Sequence, residues 1–188
     1  MTTAIPSIAC LGVIGRNNNP LHMSTFPSHD TATNTLAPVR TPLEFSLLLS
    51  STVDVFDLRA KHRSASAGVL PADQHNSSLL HAVDDRLAAY GVETNTGVRL
   101  VCVVDMRGRR VDGTVLRAGG GGLREAELRP VFRAMQGAYV GLLQNPFYEP
   151  DAHAPPGGGG AGERIKSKRF AQAMRRIGES WTPGVTNL

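Results

Sequence analysis

The chain has 188 residues, 41% of them apolar and 19% charged, which is long enough for one domain with a real core and too apolar for a globally disordered chain. Its net charge of +4 permits anionic partners without demanding them, and three Tyr with one Trp are thin for stacking single-stranded nucleic acid, so no nucleic-acid partner is expected. The two cysteines, Cys10 and Cys102, lie inside apolar runs with no CxxC or Cys/His cluster beside them, which argues against a zinc site and a disulfide scaffold and fits a reducing compartment.

The N-terminus, MTTAIPSIACLGVIG, has no basic leader region, and its apolar run is too short to span a bilayer. A soluble, intracellular protein is expected, and the sequon at 76–78 reads as incidental. Residues 7–15 form a nearly continuous apolar run that predicts a strand, closed by the turn-forming Arg16-Asn17-Asn18-Asn19-Pro20. Residues 21–26 read as the outer strand of a hairpin with it. Residues 27–40, rich in Ser, Thr and Pro and without periodicity, read as a flexible insert.

Residues 41–60, TPLEFSLLLSSTVDVFDLRA, predict a helix with a strong start: Thr41 as N-cap, Pro42 at the first helical position, and Glu44 closing a capping box. At ~100° per residue, Phe45, Leu49, Thr52, Val53 and Phe56 share a core face with Leu48 at its edge. The opposite side carries Leu43, Leu47 and Leu58 with Asp54 among them. A helix apolar on two sides is either buried between two layers or awaits a neighbour. Isolated surface leucines, or burial beneath a loop, are the plainer alternatives.

A second unpatterned stretch covers 62–75. Strands follow at 78–83, 87–94 and 98–105, joined by Asp84-Asp85-Arg86 and by Asn95-Thr96-Gly97, where glycine can supply positive φ. The first and last strands are apolar on both faces, so the sheet should be covered on each side. Residues 106–122 form a basic, glycine-rich loop containing Arg107, Arg109, Arg110 and Arg117. No Lys-Ser/Thr pair follows its glycines, and their spacing fits neither nucleotide pattern. Leu128, Phe132, Met135, Tyr139 and Leu142 mark a helix over 125–143, with Pro130 in or near its first turn and Asn145-Pro146 at its end. Residues 149–162 read as a flexible insert. A final helix over 167–181 buries Phe170, Met174, Ile177 and Trp181, while Arg164, Lys166, Lys168, Arg169, Arg175 and Arg176 crowd its start and outer face. Such a face is usually solvated, but it also suits a negative membrane or an acidic subunit.

Signs of catalysis are missing. The sequence has no GxSxG, HExxH or phosphoryl-transfer motif, and the histidines 22, 29, 62, 75, 81 and 153 show no metal spacing. Asp54 and Asp57, three apart on a helix, could approach each other, but nothing nearby suggests a pocket. No catalytic residue, metal ligand or cofactor is expected. Asn145 to Tyr148, NPFY, has the form of a phosphotyrosine-binding-domain ligand, although its place after a helix favours a buried structural turn.

The order of two strands, helix, three strands and two helices is that of the longin arrangement. Five stretches give the chain a closer resemblance: IACLGVIGRNNNPLHMSTF at 8–26, STVDVFD at 51–57, YGVETNTGVRLVCVVD at 90–105, LREAELRPVFRAM at 123–135, and NPFYEP followed by GERIKSKRF at 162–170. Together they resemble the sedlin family of small subunits of the transport protein particle (TRAPP) tethering complex, and the 123–133 form is similar to its sedlin-like, subunit-2-like branch. The resemblance implies an α/β (α+β) longin-like domain over 1–188, with flexible inserts at 27–40, 62–75, 106–122 and 151–161. It also implies a five-stranded antiparallel-rich sheet of order 2-1-5-4-3, with one helix on one face and two on the other, and Cys10 and Cys102 on adjacent strands as buried thiols. The implied role is non-catalytic: complex assembly in ER–Golgi and intra-Golgi transport. The implied partners are other TRAPP subunits and, indirectly, a Rab GTPase, with peripheral Golgi and ER–Golgi membrane contact from the cytoplasm. By match to the acidic position in VDVFD, Asp54 leads the expected interface set of Leu43, Leu47, Asp54 and Leu58. A buried Asp54 would require a donor from this chain or a neighbour.

Two other readings compete. A longin regulatory domain of a fusion SNARE expects a heptad segment and an anchor after the domain, and neither is present in the 188 residues. A membrane-surface adaptor would bind anionic lipid through the basic C-terminal helix.

Overall fold

A computed structural model describes residues 2–30, 33–65, 78–112, 123–149 and 165–188. Strands β1 (Thr2–Ile14), β2 (Pro20–Thr25), β5 (Ser78–Ala82), β6 (Leu87–Glu93) and β7 (Arg99–Asp112) form one sheet in the order β2-β1-β7-β6-β5, and every neighbouring pair is antiparallel. The turn before β7 closes as the sequence suggested, with Gly97 at φ +78° and Thr94 N–H donating to the Val98 carbonyl at 2.8 Å.

Both faces of the sheet are buried, which explains the unbroken apolar runs of β1 and β7. Ala9, Ile14, Leu87, Ala89, Val101 and Val103 meet helix α1 (Pro42–Ala65) through Phe45, Leu49 and Phe56. Leu11, Val13, Tyr90, Leu100 and Val104 meet helices α2 (Arg129–Leu143) and α3 (Lys168–Ser180) through Phe132, Met135, Met174 and Trp181. The capping box at the start of α1 is formed: Thr41 N–H donates to Glu44 Oε2 at 2.7 Å, and Glu44 N–H donates to Thr41 Oγ1 at 3.3 Å. Ser167 caps α3 by accepting from Phe170 N–H at 3.3 Å. A 3-10 turn, Glu125–Leu128, precedes α2, and Pro130 lies in the first turn of that helix, where no intrahelical N–H is needed.

Three expectations need correction. Residues 27–40 are not simply loop, because β3 (Ser28–Asp30) and β4 (Thr35–Ala37) pair as a two-stranded hairpin too short to leave a period in the sequence. Helix α1 runs to Ala65 rather than ending at residue 60; Lys61 and His62 are exposed there and carry no apolar signal. Residues 106–112 extend β7, with 109–112 pairing with Thr2–Ile5 of β1 beyond a register shift, and that ribbon needs neither alternation nor apolar side chains. The rest of the expected inserts, at 66–75, 113–122 and 151–161, lies outside the described residues.

Cys10 and Cys102 sit on the paired strands β1 and β7 and are both buried with free thiols. Cys10 belongs to the α1-side core and Cys102 to the other side, so the sheet itself separates them. Burial pushes the Cys10 thiol from the usual 9.0 up to about 12, and raises Cys102 as well. The raised values mean that the folded chain holds protons which the unfolded chain releases. The stabilisation is therefore complete below pH ~9 and is lost as pH rises from there through the folded-state value. An aromatic disulfide reagent at pH 8 is expected to modify neither thiol in the native protein and both in denaturant. Rapid native labelling would place one of them at the surface.

Candidate functional site

The outer side of α1 is the candidate docking surface. Leu43, Leu47, Asp54 and Leu58 fall at i, i+4, i+11 and i+15, which confines them to an arc of about 60° along roughly 22 Å of helix. All four are exposed, with Leu43 at 70%, Leu47 at 64% and Leu58 at 55%. The structure therefore brings the whole expected set onto one line. Between its ends, Ser50 Oγ donates to the Ser46 carbonyl at 3.0 Å and Ser51 Oγ to the Leu48 carbonyl at 2.7 Å. These hydroxyls spend their protons inside the helix, so the stripe is less polar than its composition suggests.

The helix is anchored from beneath. Arg99, on β7, reaches Asp57 with Nη2 at 2.5 Å and Glu93 with Nε at 3.3 Å, and it also contacts Asn18 Oδ1. Its guanidinium lies 5.4 Å from the centroid of the Phe56 ring. Arg59 donates to Ser78 Oγ and to the Leu79 carbonyl, tying the same helix to β5. Asp57 is thus committed to the fold through Arg99. Asp54 is exposed with no donor from the chain among the described residues, and an exposed carboxylate needs none.

Sequence reasoning missed a second constellation. Asp105, at the end of the apolar part of β7, is fully buried and accepts from Arg86 Nε at 2.8 Å and from Arg86 Nη2 at 2.8 Å, in a two-pronged pair. Asp105 Oδ1 also accepts from Arg107 N–H at 2.9 Å, while Arg86 Nη2 donates to the His29 carbonyl on β3 at 2.8 Å. The Asp105 carboxylate raises the pKa of Arg86 further. The available signal was one carboxylate closing an apolar strand, with an arginine in the turn between β5 and β6.

The NPFY turn also differs from expectation. Tyr148 N–H donates to the Asn145 carbonyl at 3.0 Å and Phe147 N–H to Asn145 Oδ1 at 3.2 Å, which makes it a tight turn. Tyr148 packs against the core, but Phe147 is 92% exposed, so the turn is structural without being buried. Among the described residues, no group of three or more His, Cys, Asp or Glu converges, and no helix is long and apolar enough to cross a membrane.

The sedlin family model matches residues 13–180. The chain belongs to the sedlin family. Among curated relatives, the trafficking protein particle complex subunit 2-like protein of Bos taurus is 27% identical over 163 residues, covering 86% of this chain and 89% of the relative. The protein of the same name in Dictyostelium discoideum is 24% identical over 170 residues, covering 90% and 95%. The Xenopus tropicalis protein of that name is 27% identical over 161 residues, covering 86% and 89%. The matched span of this sedlin-family chain includes the whole leucine stripe and both C-terminal helices.

Proposed function

We propose that this sedlin-family chain is a non-catalytic subunit of a TRAPP-type trafficking complex, docked to a sibling subunit through the outer face of α1. The observation that carries the reading is the row of exposed leucines, Leu43, Leu47 and Leu58, on a helix whose other side is already in the core. Its relatives are named as trafficking-complex subunits, which supports a building-block role; the proposal places that role in vesicle transport between ER and Golgi and within the Golgi. Any effect on a Rab GTPase is then indirect, exerted through the assembled complex on cytoplasmic membrane surfaces. Asp54 in this row supplies the polar contact that sets register, because an exposed carboxylate flanked by leucines rewards only a partner with a matching donor.

Affinity purification of the tagged full chain tests this, with companions identified and compared between wild type, Leu47→Asp and Asp54→Tyr. Both substitutions are expected to weaken recovery of sibling subunits on the order of thirtyfold, as a lost hot spot does. Stability should stay within about 0.5 kcal/mol, as for exposed sites. Unchanged recovery with either variant, or unfolding by either, would remove this face from the interface.

A further inference from the structure

The layer formed by α2 and α3 differs in charge from α1. These two helices carry Arg129, Arg133, Lys168, Arg169, Arg175 and Arg176 against one carboxylate, Glu179, and that one is held by Arg175 at 2.7 Å. Arg133, Lys168, Arg169 and Arg176 are exposed on the side away from the sheet, and among the described residues nothing pairs with them. The helices run in opposite directions: Trp181, capping the end of α3, donates from Nε1 to the Glu127 carbonyl just before α2 begins, at 3.2 Å. The start of α3 therefore lies beside the end of α2, where a 640 Å³ cleft lined by Gly137, Gly141, Ser167 and Arg169 contains no carboxylate. At this same end Val140 and Leu143 are 44% and 40% exposed, and the NPFY turn holds Phe147 out at 92%.

From this combination we infer that the α2/α3 layer is a membrane-contact face for anionic phospholipid, with Phe147 entering the headgroup region beside the cations. Unpaired cations spread over two helices meet a negative leaflet without needing a matching pattern, and a protruding aromatic with two aliphatic neighbours is what the interfacial zone accepts. An acidic protein would satisfy the cations, but the dispersion of the charges over both helices gives it no focused patch to match. The inference is independent of the α1 reading, because the two faces lie on opposite sides of the sheet.

Flotation of the full chain with vesicles of phosphatidylcholine alone, or phosphatidylcholine with phosphatidylserine, tests it at about 0.05 and about 0.5 M salt. Wild type should bind the phosphatidylserine vesicles at low salt, release them at high salt, and ignore phosphatidylcholine. Replacing Arg133, Lys168, Arg169 and Arg176 together by Gln should lower binding by at least a hundredfold, since each such cation is worth roughly fivefold. The pairs R133Q/R176Q and K168Q/R169Q, each expected to lose about 25-fold, serve if the fourfold variant does not fold. Phe147→Ser should weaken binding while leaving its salt dependence in place. Equal binding to both vesicle types, absence of binding at low salt, or full binding by the variants would overturn the assignment. So would loss of a companion subunit with vesicle binding intact, which would give the face to an acidic protein.

Discussion

Replacing Trp181 by alanine is expected to cost about 3–5 kcal/mol of stability, a large share of the roughly 5–15 kcal/mol that holds a domain together. Trp181 is fully buried in the core that also holds Phe170, Met174 and Ile177, so its removal opens a cavity under α3. It also ends the 3.2 Å hydrogen bond from Nε1 to the Glu127 carbonyl and so loosens the link between α3 and the turn before α2. The thermal midpoint should fall on the order of 10 °C for a chain of this size. Trp181→Phe, which keeps most of the apolar volume and loses the donor, should recover more than half of the deficit. A midpoint that moves by no more than about 2 °C in the alanine variant would show that α3 is not held through this side chain.

Asp105→Ala is expected to cost about 2–4 kcal/mol. The carboxylate is fully buried and serves as the common acceptor for Arg86 and the Arg107 N–H, and Arg86 in turn donates to the His29 carbonyl. Without it the guanidinium loses its counter-charge, although Arg86 keeps 28% of its side-chain surface in water, which places the cost below that of a fully enclosed pair. The loss should be local as well as global: amide exchange should accelerate in β3, whose carbonyl depends on Arg86, before it does in β6. Denaturant melts of Arg86→Ala, Asp105→Ala and the double variant should give a coupling term well above about 0.5 kcal/mol. Strict additivity would mean that the two groups act independently and that the pair is not what secures the hairpin.

That the residues proposed for docking share one exposed line was legible because it is a property of one helix. Leu43, Leu47, Asp54 and Leu58 are brought into line by helical geometry alone, and the capping box of Thr41 and Glu44 fixes where that helix begins. Which of two apolar sides faces the sheet was suggested by the run Phe45, Leu49, Thr52, Val53 and Phe56, of which all are buried except the half-buried Val53. The NPFY turn shows the opposite case. Four residues specify the turn, but whether Phe147 or Tyr148 faces the core depends on how α2 meets the sheet, and no local pattern records that.

By itself, then, the sequence determined the main strands and helices, their capping and turn chemistry, and the covering of the sheet on both faces, because each of these is written in residues close together along the chain. Tertiary structure alone decided that β1 and β7 continue as a ribbon into 106–112, that 28–30 pairs with 35–37, and that Asp57 answers Arg99 across 42 positions. The physical reason is the same in each instance. A pairing between distant segments is stabilised by geometry that exists only after the core has brought them together, and polar side chains with no periodicity of their own leave no earlier trace.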